Sequence, residues 1–364
     1  MSKNYVEIKG IGYPNKGADL LLNSVLEKTK EMNFHVCMEP YSPYENKVNY
    51  PIWTKTSIYK FGINLLFPLN LLPSYITSRL GFVKPKKVNL ILDASGFAYG
   101  DDWPSSLAKS RLLYEKTTAR IVLLPQSLGP FTKKSSIKVA KKIARKAHYI
   151  FSREEVGKVN FEKITGKTIK TCPDITFDYN PILNKTERTK KTGVLIIPNF
   201  QVKKREGSKY ITNMVKTITY ILKTSKNVKL LNHEGLKDQI ICEKIQEIIF
   251  NQMNVKLDIL NPENGVKAKL LISTADLVIT SRYHGLISAL SQQVPVGCYG
   301  WSFKYDAILS RFNLPIFNLS DNDENDLKEL CSKDYALRFK SEEYRKELLA
   351  IKQEIKQMWD DVFK

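Results

Sequence analysis

Short, unbroken apolar runs recur along the chain, each followed by a polar or glycine-containing break and then by apolar residues at helical spacing. Tyr5 to Gly10, Val88 to Asp93, Arg120 to Leu124, Tyr149 to Phe151 and Thr168 to Cys172 read as strands. Gly193 to Pro198, Val228 to Leu231, Val255 to Ile259 and Leu277 to Thr280 repeat the pattern further on. Such runs are continuous rather than alternating, as expected of strands covered on both faces of a parallel sheet. Helical periodicity fills the intervals. Lys16 to Met32 carries Ala18, Leu21, Leu22, Val25 and Leu26 on one stripe, and further helices are expected over Ser135–Ala147, Ser208–Lys226, Gly265–Thr274 and Leu286–Ser291. Strand–helix alternation predicts an α/β fold. The polar, basic stretch 179–192 places a boundary, giving domains 1–178 and 193–335 and a tail, 336–364, that contains an amphipathic helix from Ser341 to Phe363.

Parallel α/β sheets bind ligands beyond the carboxyl ends of their strands. Residues there are therefore the first candidates for chemistry. After Leu277–Thr280 come Ser281, Arg282, Tyr283, His284 and Gly285, and Lys304 lies just past the next strand, which starts at Pro295. Arg282, His284 and Lys304 beside a helix N-terminus suit a small, highly charged anion; the plainer reading is that His284 only caps or packs. Arg153 follows the strand Tyr149–Phe151 and opens a helix containing Glu154 and Glu155; it suits a carboxylate or phosphate clamp, or a surface pair along that helix. Gln126 and Ser127 fall at the end of another strand. Asn232, His233 and Glu234 end a fourth. Gly10, Gly12 and Gly17 surround the first turn, with Asn15 placed to cap the helix that follows. Asp101 and Asp102 precede a helix expected near Pro104; one of them either caps it or serves as a general base.

Size and charge narrow the field. A chain of 364 residues with 43% hydrophobic content can bury two cores. Its formal net charge of +20 favours anionic partners, yet no arginine-rich arm or RNA-recognition signature is present, so nucleic acid is not an expected partner. The first turn is no GxGxxG fingerprint and lacks an acidic ribose partner, which disfavours a nicotinamide cofactor. The five cysteines form no CxxC pair, so no metal site is signalled, and an odd count without a secretory signal suits a reducing cytoplasm. Residues 65–73, LLFPLNLLP, are apolar but interrupted by Pro68 and Pro73, too broken for a transmembrane helix. They read either as a buried connection or as an interfacial patch flanked by Lys55, Lys60, Arg79, Lys84, Lys86 and Lys87.

Four stretches, in order, resemble one family. Gly10–Ala18 resembles the N-terminal glycine loop of polysaccharide pyruvyl transferases, Gln126–Phe131 their QSxGPF segment, Ser152–Glu154 their SRE segment, and Ser281–Val296 with Lys304 their C-terminal signature. Many relatives carry a glycine triplet where this chain has Ser95–Gly96–Phe97. The resemblance implies two Rossmann-like domains facing a cleft, a GT-B-like glycosyltransferase architecture with the C-terminal helix crossing back to the first domain. It further implies transfer of an enolpyruvyl unit from phosphoenolpyruvate to a sugar of a surface glycan, as a ketal. Arg153, His284 and Lys304 are implied as donor ligands, with Arg282 beside them, His284 as candidate acid and Asp101 as candidate base. Gly12, Asn15, Gln126, Ser127 and His233 complete the expected substrate contacts. Phosphoenolpyruvate is then a substrate and no cofactor is required; the acceptor is a sugar or a lipid-linked glycan, met in the cytoplasm or at the inner face of a membrane. Two rivals remain open: a nucleotide-sugar glycosyltransferase of the same architecture, and a non-catalytic glycan-binding relative.

Overall fold

The apolar runs pair side by side and in parallel. In a computed structural model, residues 4–43, 48, 50–60, 63–103, 112, 117–181, 193–224, 227–299, 302–317, 319 and 323–364 are described. The chain divides into two units. Unit 1 holds Met1–Tyr13, Leu21–Ile175 and Glu354–Lys364; unit 2 holds Pro14–Leu20 and Thr176–Gln353. The division thus falls between Ile175 and Thr176, and most of the stretch expected to link the domains, 182–192, lies outside the described residues.

Unit 1 is built on an eight-stranded sheet of β1 (Asn4–Lys9), β2 (Phe34–Met38), β3 (Trp53–Lys55), β6 (Phe82–Val83), β7 (Val88–Asp93), β8 (Arg120–Gln126), β9 (Tyr149–Ser152) and β10 (Lys170–Thr171). Its order is β10-β9-β8-β7-β1-β2-β3-β6, and every pairing is parallel. A separate antiparallel ribbon joins β4 (Tyr59–Lys60) to β5 (Ile63–Asn64). The helices are α1 (Lys16–Glu31, whose first turn belongs to unit 2), α2 (Phe67–Leu71), α3 (Ser74–Arg79), α4 (Lys134–Lys146) and α5 (Glu155–Thr165). Ile91, Ile121, Leu123, Ile143, Ile150 and Phe161 share one buried core, in which α4 and α5 cover the sheet. The short strands β2, β3 and β6 had no recognisable run in the sequence.

Unit 2 carries β11 (Val194–Ile197), β12 (Val228–Leu231), β13 (Asp258–Leu260), β14 (Leu277–Thr280) and β15 (Val296–Cys298), ordered β13-β12-β11-β14-β15 and all parallel. Every residue of β11 and β14 is buried. The strand order reverses between β11 and β14, which makes their carboxyl ends the crevice of this sheet. Its helices include α6 (Phe200–Glu206), α7 (Ser208–Lys223), α8 (Gly235–Met253), α9 (Gly265–Ser273), α10 (Tyr283–Ser291) and α11 (Phe303–Arg311). After α12 (Glu324–Leu330) and α13 (Lys333–Arg338), the chain ends in α14 (Glu342–Phe363), whose last turns, from Glu354, belong to unit 1. There Trp359 and Val362 are buried, and Arg120 Nη2 donates to the Val362 carbonyl at 3.1 Å.

Candidate functional site

The crevice of unit 2 is stitched by side chains that local pattern does not reveal. Asn199, just past β11, donates through Nδ2 to the Ser281 carbonyl at 2.9 Å. The Tyr305 hydroxyl donates to the same carbonyl at 2.9 Å, and Tyr210 Oη lies 2.7 Å from Ser281 Oγ. These buried bonds fix the chain where it leaves β14. Thr280 Oγ1 accepts from the Arg282 amide at 2.9 Å, and α10 begins at once with Tyr283. The helix therefore starts three residues earlier than expected, and His284 is its second residue rather than part of a turn. Lys304 likewise lies in the first turn of α11, not in a loop. Tyr283 joins the two: its ring is 5.8 Å from the His284 ring, nearly perpendicular, and 5.0 Å from Lys304 Nζ. The amides of a first helical turn have no partner within the helix, so their positive end adds to these side chains.

The first turn of α1 belongs to the same unit. Asn15 caps it, its Oδ1 accepting from the amides of Gly17 at 2.9 Å and Ala18 at 3.1 Å, while Nδ2 donates to Glu234 Oε1 at 3.1 Å. Gly17 is required by a close approach: a Cβ there would fall inside the His284 ring at Nδ1. Gly12 meets no such demand: among the described residues nothing lies within 4 Å of a Cβ placed on it, so packing does not require glycine there. Lys16 is buried, and its pKa is pushed down by burial against the upward pull of Asp19 and Asp238. His233 is 2% exposed, and neither ring nitrogen has a hydrogen-bond partner among the described residues. Burial first, then the charges of Arg282, His284 and Lys16, hold its pKa well below 6.5, so it is neutral.

Arg282 does not join the anion-binding set expected for it. Its Nη1 meets Glu234 and its Nη2 meets Asp238, and the Asp238 side chain is fully buried. Burial opposes the charge, but Asp238 and Glu234 more than offset it and hold the pKa above its ordinary value. The guanidinium is thus consumed internally, and it fixes the turn that carries His233 and Glu234. The sequence places Glu234 and Asp238 four residues apart, but nothing local says that both face one arginine, forty-eight and forty-four residues on.

In unit 1, Arg153 follows β9. Its Nη2 lies 2.6 Å from Asp174 Oδ2, both side chains buried, so it is neither a solvent-facing clamp nor a surface pair along its helix. Asp174, just past β10, is itself buried. Gly96, at φ +68°, lets Arg153 lie against it; a Cβ would sit 2.8 Å from Nη2. Glu154 precedes α5 rather than lying in it. Gln126 is the last residue of β8 and completely buried; its amide accepts from Ser95 Oγ at 3.1 Å and donates to the Asp93 carbonyl at 3.3 Å. Ser127 Oγ donates to Glu154 Oε1 at 2.7 Å. Both side chains expected to contact a ligand are thus occupied in holding the Ser95–Gly96 loop and the start of α5.

Asp101 is a helix anchor, not a base. Its carboxylate accepts from the amides of Thr132 at 2.7 Å and Lys133 at 3.1 Å, from Thr132 Oγ1 at 2.7 Å and from Ser136 Oγ, at the start of α4. What burial there is acts upward, but these hydrogen bonds bring its pKa to about 2. A carboxylate so satisfied is a poor proton acceptor near neutrality. It caps α4, and the helix expected near Pro104 lies outside the described residues. Among the flanking cations of the 65–73 stretch, Lys55 is buried against Glu7 and Lys84 donates to the Leu72 carbonyl, so neither faces solvent.

The sequence profile of polysaccharide pyruvyl transferases matches residues 15–302, most of the chain, including Arg153, Arg282 and His284 and ending just before Lys304. The chain belongs to the polysaccharide pyruvyl transferase family. The family's activity makes it a transferase acting on polysaccharide. No curated protein matches the sequence. Solved structures share its fold at low identity. A UDP-GlcNAc 2-epimerase from Neisseria meningitidis bound to UDP-GlcNAc is 13% identical, covering 93% of this chain and 94% of that chain at a TM-score of 0.59. A glycosyltransferase from Rickettsia africae is 11% identical, covering 100% and 99% at 0.59. A UDP-GlcNAc 2-epimerase from Methanocaldococcus jannaschii is 12% identical, covering 91% of each chain at 0.53. The fold is the GT-B-like α/β fold with parallel sheets in two domains.

Proposed function

We propose that the chain transfers a pyruvyl group from phosphoenolpyruvate to a polysaccharide sugar, closing a pyruvate ketal and releasing phosphate. Family membership supplies the reaction class. The observation that carries the donor is the placement of His284 and Lys304 on one Tyr283 ring at the start of α10. Lys16 and the neutral His233 belong to the same electrostatic neighbourhood. Phosphoenolpyruvate brings a phosphate and a carboxylate on a small enol, and ammonium groups and helix-end amides are its natural counterparts.

In this reading Lys304 and Lys16 hold the anionic groups, and His284 delivers a proton to the methylene carbon. The adjacent carbon becomes electrophilic and bonds to a sugar hydroxyl oxygen. The carbon–oxygen bond to phosphate then breaks, phosphate departs with the electron pair, and a second hydroxyl closes the ketal. The two hydroxyl protons replace the one His284 gave up and leave with phosphate. Arg282, already neutralised by Glu234 and Asp238, positions the turn rather than touching the donor.

A thermal-shift titration tests the donor directly. A ligand at ~100 times its Kd stabilises the native state by about 2.7 kcal/mol. Phosphoenolpyruvate should give such a shift, and Lys304→Ala and His284→Ala should lose it. The rival, a nucleotide-sugar glycosyltransferase, draws on fold likeness to an epimerase solved with UDP-GlcNAc. A shift with uridine-diphosphate sugars but none with phosphoenolpyruvate would replace our reading with that one.

A further inference from the structure

Between Asn46 and Leu92 the sequence holds seven Lys or Arg and no Asp or Glu. Within this run, β5, α2 and α3 turn their apolar side chains outward. Ile63, Leu65, Phe67, Leu71, Tyr75 and Leu80 are each more than half exposed, and α2 buries none of its residues. The polar side chains do the opposite. Asn64 Oδ1 accepts from the Ile58 amide at 3.0 Å, Asn70 Nδ2 donates to the Thr56 carbonyl at 3.1 Å, and Lys84 reaches back to the Leu72 carbonyl. A helix of five residues has no stability of its own. Here hydrogen bonds anchor it to the body of unit 1 while its apolar side faces away. A large apolar patch on a folded surface marks an interaction site.

We infer that this surface docks unit 1 onto an anionic lipid bilayer. Charge selects the occupant. Arg79 and Lys86 are exposed beside the patch, and no acidic residue occurs in the run to offset them. A second copy would present the same cations on a chain of net charge +20 and be repelled. Anionic headgroups satisfy the cations while the acyl boundary receives the six apolar side chains. Among the described residues no helix is long and apolar enough to cross a membrane, so the contact is peripheral. It would bring the transferase to acceptors carried on lipid.

Flotation of the full chain with vesicles tests this without donor or glycan, so its outcome is independent of the proposed reaction. Phosphatidylcholine vesicles are compared with vesicles containing about one-third phosphatidylglycerol. Wild type should float only with the anionic vesicles. The variant L65S/F67S/L71S should lose at least about tenfold in partitioning, and R79E/K86E should lose binding most at low salt. Unchanged melting temperatures show that the variants remain folded, since these side chains are exposed. The inference is overturned if wild type fails to float, if L65S/F67S/L71S floats equally well, or if sedimentation shows a dimer that this variant dissociates.

Discussion

Arg153 and Arg282 occupy corresponding places. Each follows a serine at the carboxyl end of a parallel strand, and each stands just before a helix, α5 or α10. Arg153 meets one buried carboxylate, Asp174; Arg282 meets the buried Asp238 and the part-exposed Glu234. The two sites differ in what surrounds the pair. In unit 1 the neighbouring polar groups, Gln126, Ser127 and Glu154, are bonded to one another or to the backbone. In unit 2 the same position is followed by His284, with Lys304 across the Tyr283 ring and His233 holding two unbonded nitrogens. An arginine past a strand end is therefore no sign of an anion site by itself; what sets unit 2 apart is the histidines and the lysine gathered beside the pair.

The largest effect should come from breaking a pair. Arg282→Ala leaves the buried Asp238 uncompensated and should cost about 3–5 kcal/mol in urea unfolding. Arg153→Ala should fall at the lower end of that range, because one acid rather than two is abandoned; equal losses would mean that Glu234 contributes nothing. Gly17→Ala should come next. Its Cβ must displace His284, costing about 1–3 kcal/mol of stability and about 100-fold in kcat/KM through misplacement, whereas Gly12→Ala should stay within ~0.5 kcal/mol.

Acid titration separates the units further. The strand-end site of unit 1 contains no histidine. In unit 2, native His233 refuses the proton that the unfolded chain accepts below pH 6.5. Stability should therefore fall as pH drops below that value, by about 1.4 kcal/mol per pH unit for this group, and His233→Phe should flatten that slope. The smallest loss among the charged positions should follow Asp101→Ala, about 1 kcal/mol for a lost cap, with kcat close to wild type. The contribution of Asp101 is present above pH 3.8 and lost as pH falls towards about 2; a 100-fold fall in kcat at neutral pH would return Asp101 to the chemistry.

Much of the frame could be read locally. The runs at Val88–Asp93, Val228–Leu231 and Leu277–Thr280 became strands with those bounds, because sheet burial on both faces needs only a continuous apolar segment. Asn15 caps α1 because side-chain capping is decided within four residues. What stayed hidden depended on distant partners. Asp174 and Asp238 are ordinary acids until the fold brings an arginine to each. Gly285 resembled the end of a turn, yet it lies in the first turn of α10 and a Cβ there would sit 2.6 Å from Thr280 Oγ1. The apolar run around Phe67 was plain in the sequence, but which side of it is covered is set by Asn64, Asn70 and Lys84 bonding to backbone six to fourteen residues away.

The membership of α14 bears on how the protein is made. Unit 1 needs residues from both ends of the numbered sequence, since Glu354–Lys364 cluster with it, and unit 2 borrows Pro14–Leu20 from near the start. Neither unit can be cloned as one uninterrupted fragment. During synthesis, at ~5–20 residues per second, the sheet of unit 1 is complete long before Trp359 and Val362 emerge to fill their buried positions. For all the time it takes to translate unit 2, unit 1 waits with one side of its core unfinished, and a ribosome stalled anywhere in that interval holds a chain in which neither half can close.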